Sequence, residues 1–257
     1  MRTIKVVIFM VILPIFLMAG DNLADTTKKC KSGDAKSCMK SGLAYEEKSS
    51  ISKALDFYNL ACQKGESLGC FKCGEIFYQG RGVARDFEKS AKYFESACKL
   101  QLPQGCYIAG VLYEDDSKKI FDIKKSIKLY TKACNSKLSQ GCGRLGNIYY
   151  RGFGTPRDIQ KAKSSFEKGC KGEDLNSCLM LGNIYLGRSG IKKNLSKALK
   201  FFDFACNRGE GVACMQIGTM YLKGDGIQKD EAKAKDYFQK SCKTGFALGC
   251  EAFETVK

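Results

Sequence analysis

The stretch CNSKLSQGCGRLGNIYYRGFGTPRDIQKAKSSFEKGCKGEDLNSC, from Cys134 to Cys178, decides the fold of this chain. It reads cysteine, seven residues, Cys142, then Gly146, Tyr149, Gly152, Gly154, Asp158, Ala162, Phe166 and Cys170, and again seven residues to Cys178. Outward from it the unit repeats. Cys98, Cys134, Cys170, Cys206 and Cys242 follow at steps of 36 residues, and Cys106, Cys142, Cys178, Cys214 and Cys250 keep the same step eight positions later. A fixed period of this size means units too small to bury their own apolar faces, which must stack on their neighbours. The period overrides the one or two ordinary domains that 257 residues would suggest, and it predicts a single elongated array.

Each unit holds two amphipathic segments. The first, helix A, carries cysteine, glycine and an aromatic at offsets of four and seven, as in Cys70, Gly74, Phe77 and in Cys178, Gly182, Tyr185. These offsets share one face of a 3.6-residue period. A glycine recurring mid-helix costs about 1 kcal/mol against alanine, so its repetition predicts the close approach of a neighbouring helix. Glycine pairs such as Gly80 with Gly82 and Gly152 with Gly154 stop helix A. Asp86, Asp122, Asp158, Asn194 and Asp230 then cap the second segment, helix B, whose stripe reads Ala91, Phe94, Cys98 and equivalents. The third unit has Asp115, Asp116 and Ser117 in place of the glycine pair, predicting a different tip. The fold class is therefore all-α, an α/α solenoid. Its expected divisions are a signal peptide over 1–20, a cap helix over 21–34, six repeats over 35–245 and a capping helix over 246–257.

Arg2 and Lys5 precede an apolar run from Val6 to Met18 and the small residues Ala19 and Gly20, the outline of a secretory signal peptide. The run is short for a bilayer span, so no membrane anchor is expected after cleavage. A secreted or periplasmic location suits fifteen cysteines, because disulfides persist outside the cytoplasm. The formal charge of +16 falls to +14 without Arg2 and Lys5. Such a surface attracts anionic partners, but export and the lack of a recognition motif argue against nucleic acid.

Seven cysteine pairs share the eight-residue spacing: Cys30 with Cys38, Cys62 with Cys70, Cys98 with Cys106, Cys134 with Cys142, Cys170 with Cys178, Cys206 with Cys214, and Cys242 with Cys250. In each full unit the first lies in the last turn of helix B and the second in the first turn of the next helix A. Antiparallel helices joined by so short a turn bring these ends within disulfide range, so each turn is stapled. Metal binding fits poorly, since the chain has no histidine and the spacing is not that of a zinc knuckle. Neither a metal nor a cofactor is expected. Cys73 is left as a free thiol at an apolar helix-A position, where the aligned units have Ala109, Leu145, Leu181 and Ile217.

Glycine, two residues, tyrosine, two residues, glycine, one residue, glycine, then an Asp-initiated segment with Lys-Ala and an aromatic, resembles the Sel1-like repeat, a relative of the tetratricopeptide repeat. With cysteine pairs at 36-residue spacing, the chain resembles the secreted Helicobacter cysteine-rich protein family, often labelled cysteine-rich β-lactamases. The departures are the short first unit, the third tip, Ser177 and Ala213 where glycine usually precedes the second cysteine, and Cys73. The resemblance implies helix A on the concave side, penicillin binding with slow β-lactam hydrolysis, and roles in contact with host cells.

The residues name no catalytic machinery. Ser37 to Lys40 and Lys243 to Gly245 match serine β-lactamase strings, as do Ser50 with Lys53, Ser96 with Lys99 and Ser165 with Lys168, but the first two fall at opposite ends of the array. Zinc and Ser-His-Asp chemistry lack their histidine. Binding is better supported, by helix-A positions that vary between units: Glu75, Tyr78, Asn147, Tyr150, Arg151, Asn183 and Thr219, with Arg144 as a further cation. By resemblance to tetratricopeptide grooves these line the concave surface. The expected partners are a protein or peptide, peptidoglycan fragments or β-lactams, bound by a monomer. The alternative is a non-enzymatic scaffold acting on host or envelope partners.

Overall fold

The computed structural model describes residues 22–224 and 226–256; the signal peptide expected over 1–20 lies outside them. Fourteen helices follow one another among the described residues, with no strand. Helix α1 (Leu23–Lys31) leads, and six A/B pairs follow: α2 (Ala35–Glu47) with α3 (Ile51–Gln63), α4 (Ser67–Gln79) with α5 (Phe87–Lys99), and α6 (Pro103–Glu114) with α7 (Ile123–Asn135). The later pairs are α8 (Ser139–Arg151) with α9 (Ile159–Lys171), α10 (Leu175–Asn183) with α11 (Leu195–Cys206), and α12 (Gly211–Lys223) with α13 (Glu231–Lys243); α14 (Ala247–Thr255) closes the array. No described helix is long and apolar enough to cross a membrane.

One contact explains the glycine in helix A. A Cβ built on Gly42, Gly74, Gly110, Gly146, Gly182 or Gly218 would meet the ring of Tyr58, Phe94, Tyr130, Phe166, Phe202 or Phe238 at 2.8 Å or less. The ring of helix B thus lies on the bare backbone of its own helix A, and all six rings are among the most buried side chains. A second small-residue contact seats the stapled ends. Gly69, Gly105 and Gly141 lie against Ala61, Ala97 and Ala133, while Ser177, out of pattern in the sequence, faces Gly169. The small partner has changed sides, and the pair keeps its thickness.

All seven disulfides form as paired by spacing, with Cα atoms 4.4–4.7 Å apart. Each stapled turn needs one residue in the left-handed region. Gly33, Gly65, Gly209 and Gly245 supply it in four turns, but Gln101, Lys137 and Glu173 stand there in the other three, at φ 63–64°. A side chain pays about 1–2 kcal/mol in that conformation, partly offset by the greater unfolded-state freedom of glycine. Lys137→Gly is therefore expected to stabilise by about 0.5–1 kcal/mol, read as a higher urea midpoint with an unchanged slope.

At the other edge, the cap residue closes each full loop: the Asp86, Asp122, Asp158, Asn194 and Asp230 amides donate to the carbonyls of Phe77, Tyr113, Tyr149, Tyr185 and Tyr221. In the third repeat, Lys118 lies over the Phe87 ring at 5.0 Å, where Gly82 and Gly154 of other tips pack on Ile51 and Ile123. In the fifth, the first tip glycine comes one residue early, at Gly187, and a π turn over Ile184–Arg188 takes up the difference.

Six of the 43 lysines and arginines have a repeating structural place. Lys53, Lys89, Lys125, Lys161, Lys197 and Lys233, each near the start of helix B, sit over the rings of Tyr45, Phe77, Tyr113, Tyr149, Tyr185 and Tyr221 at 4.2–5.6 Å. One lysine per repeat thus caps the helix-A aromatic through its quadrupole. Cys73 is fully buried, its thiol directed at the Leu55 carbonyl, and burial pushes its pKa up to about 12. It behaves as a small hydrophobe.

Candidate functional site

The helix-A residues flanking the glycine face form a row that runs from repeat to repeat. In the first and third repeats this row carries an ionic pair built on a buried tyrosine. The Tyr58 hydroxyl donates to Glu46, which also takes Arg81 at 2.7 Å; the Tyr130 hydroxyl donates to Glu114, which faces Arg144 at 3.5 Å. Burial, and then the negative charge of Glu114, push the Tyr130 pKa well up. The hydroxyl therefore stays a donor. In the other four repeats the ring is Phe94, Phe166, Phe202 or Phe238, and the position of Glu46 and Glu114 holds Tyr78, Tyr150, Leu186 or Leu222. Tyrosine comes with glutamate and phenylalanine with an apolar or aromatic residue, a pairing readable in the sequence.

That pairing makes a prediction. Glu114→Leu leaves the Tyr130 hydroxyl buried without its acceptor and is expected to cost about 1–3 kcal/mol. Adding Tyr130→Phe recreates the Leu186–Phe202 pair and is expected to recover most of the loss. Urea unfolding of both single variants and the double gives the coupling; purely additive costs would mean that the two residues do not depend on one another.

The residues expected to bind fall into two groups. Glu75 is buried, 3.2 Å from the Lys72 ammonium, and Tyr78 packs edge-on against Phe87, so both belong to the second repeat. Arg144 is paired with Glu114. Thr219 turns its hydroxyl to the Met215 carbonyl at 2.9 Å. Asn147, Tyr150 and Arg151 come together on α8, one repeat from Asn183 at the end of α10. Tyr150 rests against Phe166, carries Arg157 over its ring at 5.6 Å and accepts from Ser189 at 3.4 Å. Asn147 and Asn183 are half-buried and Arg151 is exposed, and none of the three side chains has a partner among the described residues.

Three of the four serines of the β-lactamase-like strings are engaged locally. Ser37 donates to Asp34, Ser96 to the Lys92 carbonyl and Ser165 to the Lys161 carbonyl, while Ser50 stands at the N-cap position of α3 without a side-chain capping bond. Thr244 donates to the Ser241 carbonyl at the far end of the array from Ser37. No cluster of three or more candidate metal ligands exists among the described residues.

Stacked A/B pairs, a stapled turn per repeat and a row of variable side chains on the helix-A face define a helical-repeat solenoid of the kind that presents an extended surface. The Sel1 repeat model matches residues 35–66, 67–102, 103–137, 139–174, 175–210 and 211–246, and the chain belongs to the Sel1 repeat family. A protective antigen of uropathogenic Escherichia coli with this fold, c5321, superposes with a TM-score of 0.78 at 23% identity, covering 90% of this chain. The chain spans only 50% of that antigen. A Sel1 repeat protein from Oxalobacter formigenes gives a TM-score of 0.77 at 19% identity, covering 90% of this chain and 68% of the other. Helicobacter pylori cysteine rich protein B is 31% identical over 51% of this chain and 93% of its own length, with a TM-score of 0.42. No curated protein matches the chain.

Proposed function

We propose that the protein is an extracytoplasmic binding scaffold that takes an extended peptide, or a cell-wall fragment with similar amide groups, along the helix-A face of the fourth and fifth repeats. The observation that carries this reading is the pair Asn147 and Asn183. Their carboxamides stand one repeat apart, half-buried and unpaired among the described residues, with Tyr150 and the exposed Arg151 three and four positions after Asn147 on α8. A carboxamide offers a donor and an acceptor at once, which suits a backbone amide, and arginine suits a carboxylate. The seven disulfides support a location outside the cytoplasm, where such bonds persist.

The test is selection from a random heptapeptide library on the oxidised protein, with affinities measured by calorimetry. An Asn147→Ala, Asn183→Ala double variant of unchanged circular dichroism should bind the selected peptides at least about tenfold more weakly, the scale of one or two hydrogen bonds. Equal binding by the variant would overturn the assignment of this face. Slow β-lactam hydrolysis, implied by the resemblance alone, is checked in parallel with a chromogenic cephalosporin. Activity that co-purifies with the wild type and collapses in the variant would make the same face an active site.

A further inference from the structure

On the opposite, helix-B face, successive repeats are tied by hydroxyl rungs. Tyr93 of α5 donates to Asn59 of α3 at 3.0 Å, and Tyr237 of α13 donates to Asp203 of α11 at 3.3 Å. Each rung spans 34 residues, and the same step joins Phe201 of α11 to Glu167 of α9. Phenylalanine has no hydroxyl to give. Of the two remaining steps, one is tied differently, Glu95 of α5 being taken by Lys125 of α7 and by Tyr113, and the other, Thr131 to Ser165, has no rung, each hydroxyl bonding a carbonyl of its own helix. At the Phe201 step the structure has a shallow, solvent-open cleft between α9 and α11, lined by Glu167, Phe201, Phe204 and Arg208 among others.

The cleft's carboxylates are already engaged. Glu167 has Lys163 at 3.5 Å, Glu173 faces Arg208 at 3.8 Å, and Asp203 accepts from Asn207 at 3.0 Å as well as from Tyr237. Its cations are less engaged. Lys171 and Lys200 on the rim are exposed and have no ion pair among the described residues. The Arg208 guanidinium carbon stands 3.8 Å from the Phe204 ring centroid, which holds it at the cleft, with Glu173 3.8 Å away. Two half-buried phenyl rings and three cations thus border one opening.

We infer that this cleft is a second ligand site, separate from the helix-A face, for a carboxylate carried on an aromatic or branched apolar group. The apolar group seats against Phe201 and Phe204, and the carboxylate meets Arg208 and Lys200. A free aromatic acid and the C-terminal aromatic residue of a peptide present the same chemistry.

The experiment is an amide-resolved NMR titration of the oxidised, isotope-labelled protein with N-acetylphenylalanine, its uncharged C-terminal amide, and a Gly/Ser-rich hexapeptide ending in free phenylalanine. The acid is expected to shift the amides of residues 200–208 in a saturable manner, and the capped amide to bind about tenfold more weakly, the scale of one charge-assisted hydrogen bond. A Lys200→Ala, Arg208→Ala double variant should lose a similar factor, while Lys240→Ala, at an exposed position outside both sites, should leave the shifts of residues 200–208 unchanged. Phe201→Tyr, which restores the rung toward Glu167, should weaken binding without unfolding the protein. Tighter binding of the hexapeptide than of the acid would identify a chain terminus as the source, and equal binding a free acid. Linear shifts without saturation, indifference to capping the carboxylate, or full binding by the Lys200, Arg208 variant would each overturn the site, whatever the fate of the helix-A reading.

Discussion

Phe166→Ala is expected to cost about 3–5 kcal/mol, the range for truncating a fully buried aromatic side chain. Phe166 has no exposed surface and lies on the backbone of Gly146. Nothing can collapse into the vacated space cheaply, since Gly146 has no side chain to move and both backbones are fixed by helix hydrogen bonds. The companion change, Gly146→Ala, reverses its usual sign. In an isolated helix alanine would gain about 1 kcal/mol over glycine. Here its Cβ would stand 2.6 Å from Cδ1 and Cε1 of Phe166, so the ring or the helix must shift, and overpacking of this kind costs about 1–3 kcal/mol.

The two variants are distinguishable from a general loss of folding by their locality. Stability in a stacked array is close to a sum of repeat and nearest-neighbour terms, so amide exchange should accelerate in α8 and α9 and their neighbours first. Protection in α2 and α13 should be nearly unchanged. If Gly146→Ala proved as stable as the wild type with the same exchange pattern, the ring would not be seated on the glycine, and the repeating glycine would need another explanation.

The array was legible because its signals are periodic. Six helix-A glycines, the aromatic seven positions after the cysteine and the Asx caps repeat, and repetition averages out the ambiguity of any single short helix. The disulfide pairing followed from spacing, because a turn too short to do anything else brings its two ends together. Two features depended on departures from the period. Ser177 departs from the period because Gly169 across from it supplies the small partner, and Tyr130 with Glu114 is a compensated pair rather than two unrelated variations. The helix-B cleft was not legible from helix-A positions. It is bordered by Phe201, Phe204, Lys200 and Arg208, which lie on or just after helix B and come together with α9 only in the stacked array. Of the residues expected on the binding face, Arg144 has its ionic partner, Glu114, in the preceding repeat, which helix periodicity alone does not reveal, whereas Lys72 stands three positions before Glu75 on the same helix, a pairing that the sequence does carry.

Removing the bridge between Cys134 and Cys142 by a double change to serine is expected to cost about 2.5 kcal/mol, from the loop entropy of the closed ring. The consequence goes beyond the number, because this bridge joins helix B of the third repeat to helix A of the fourth and so sits on an interface rather than within a unit. Weakening one interface in a one-dimensional array lets the two sides unfold separately. Thermal melting followed by circular dichroism should therefore broaden or split in this variant, and two-state fitting should fail. The same double change at Cys242 and Cys250 removes a terminal staple, holding only α14, and should leave the main transition sharp. Full reduction of all seven bridges should lower the melting temperature far more than either double variant, since the array has no single deep core to hold the repeats together. A reduced protein that melted as sharply and as high as the oxidised one would show that stacking alone suffices. The bridges would then have to be explained by chemistry rather than stability.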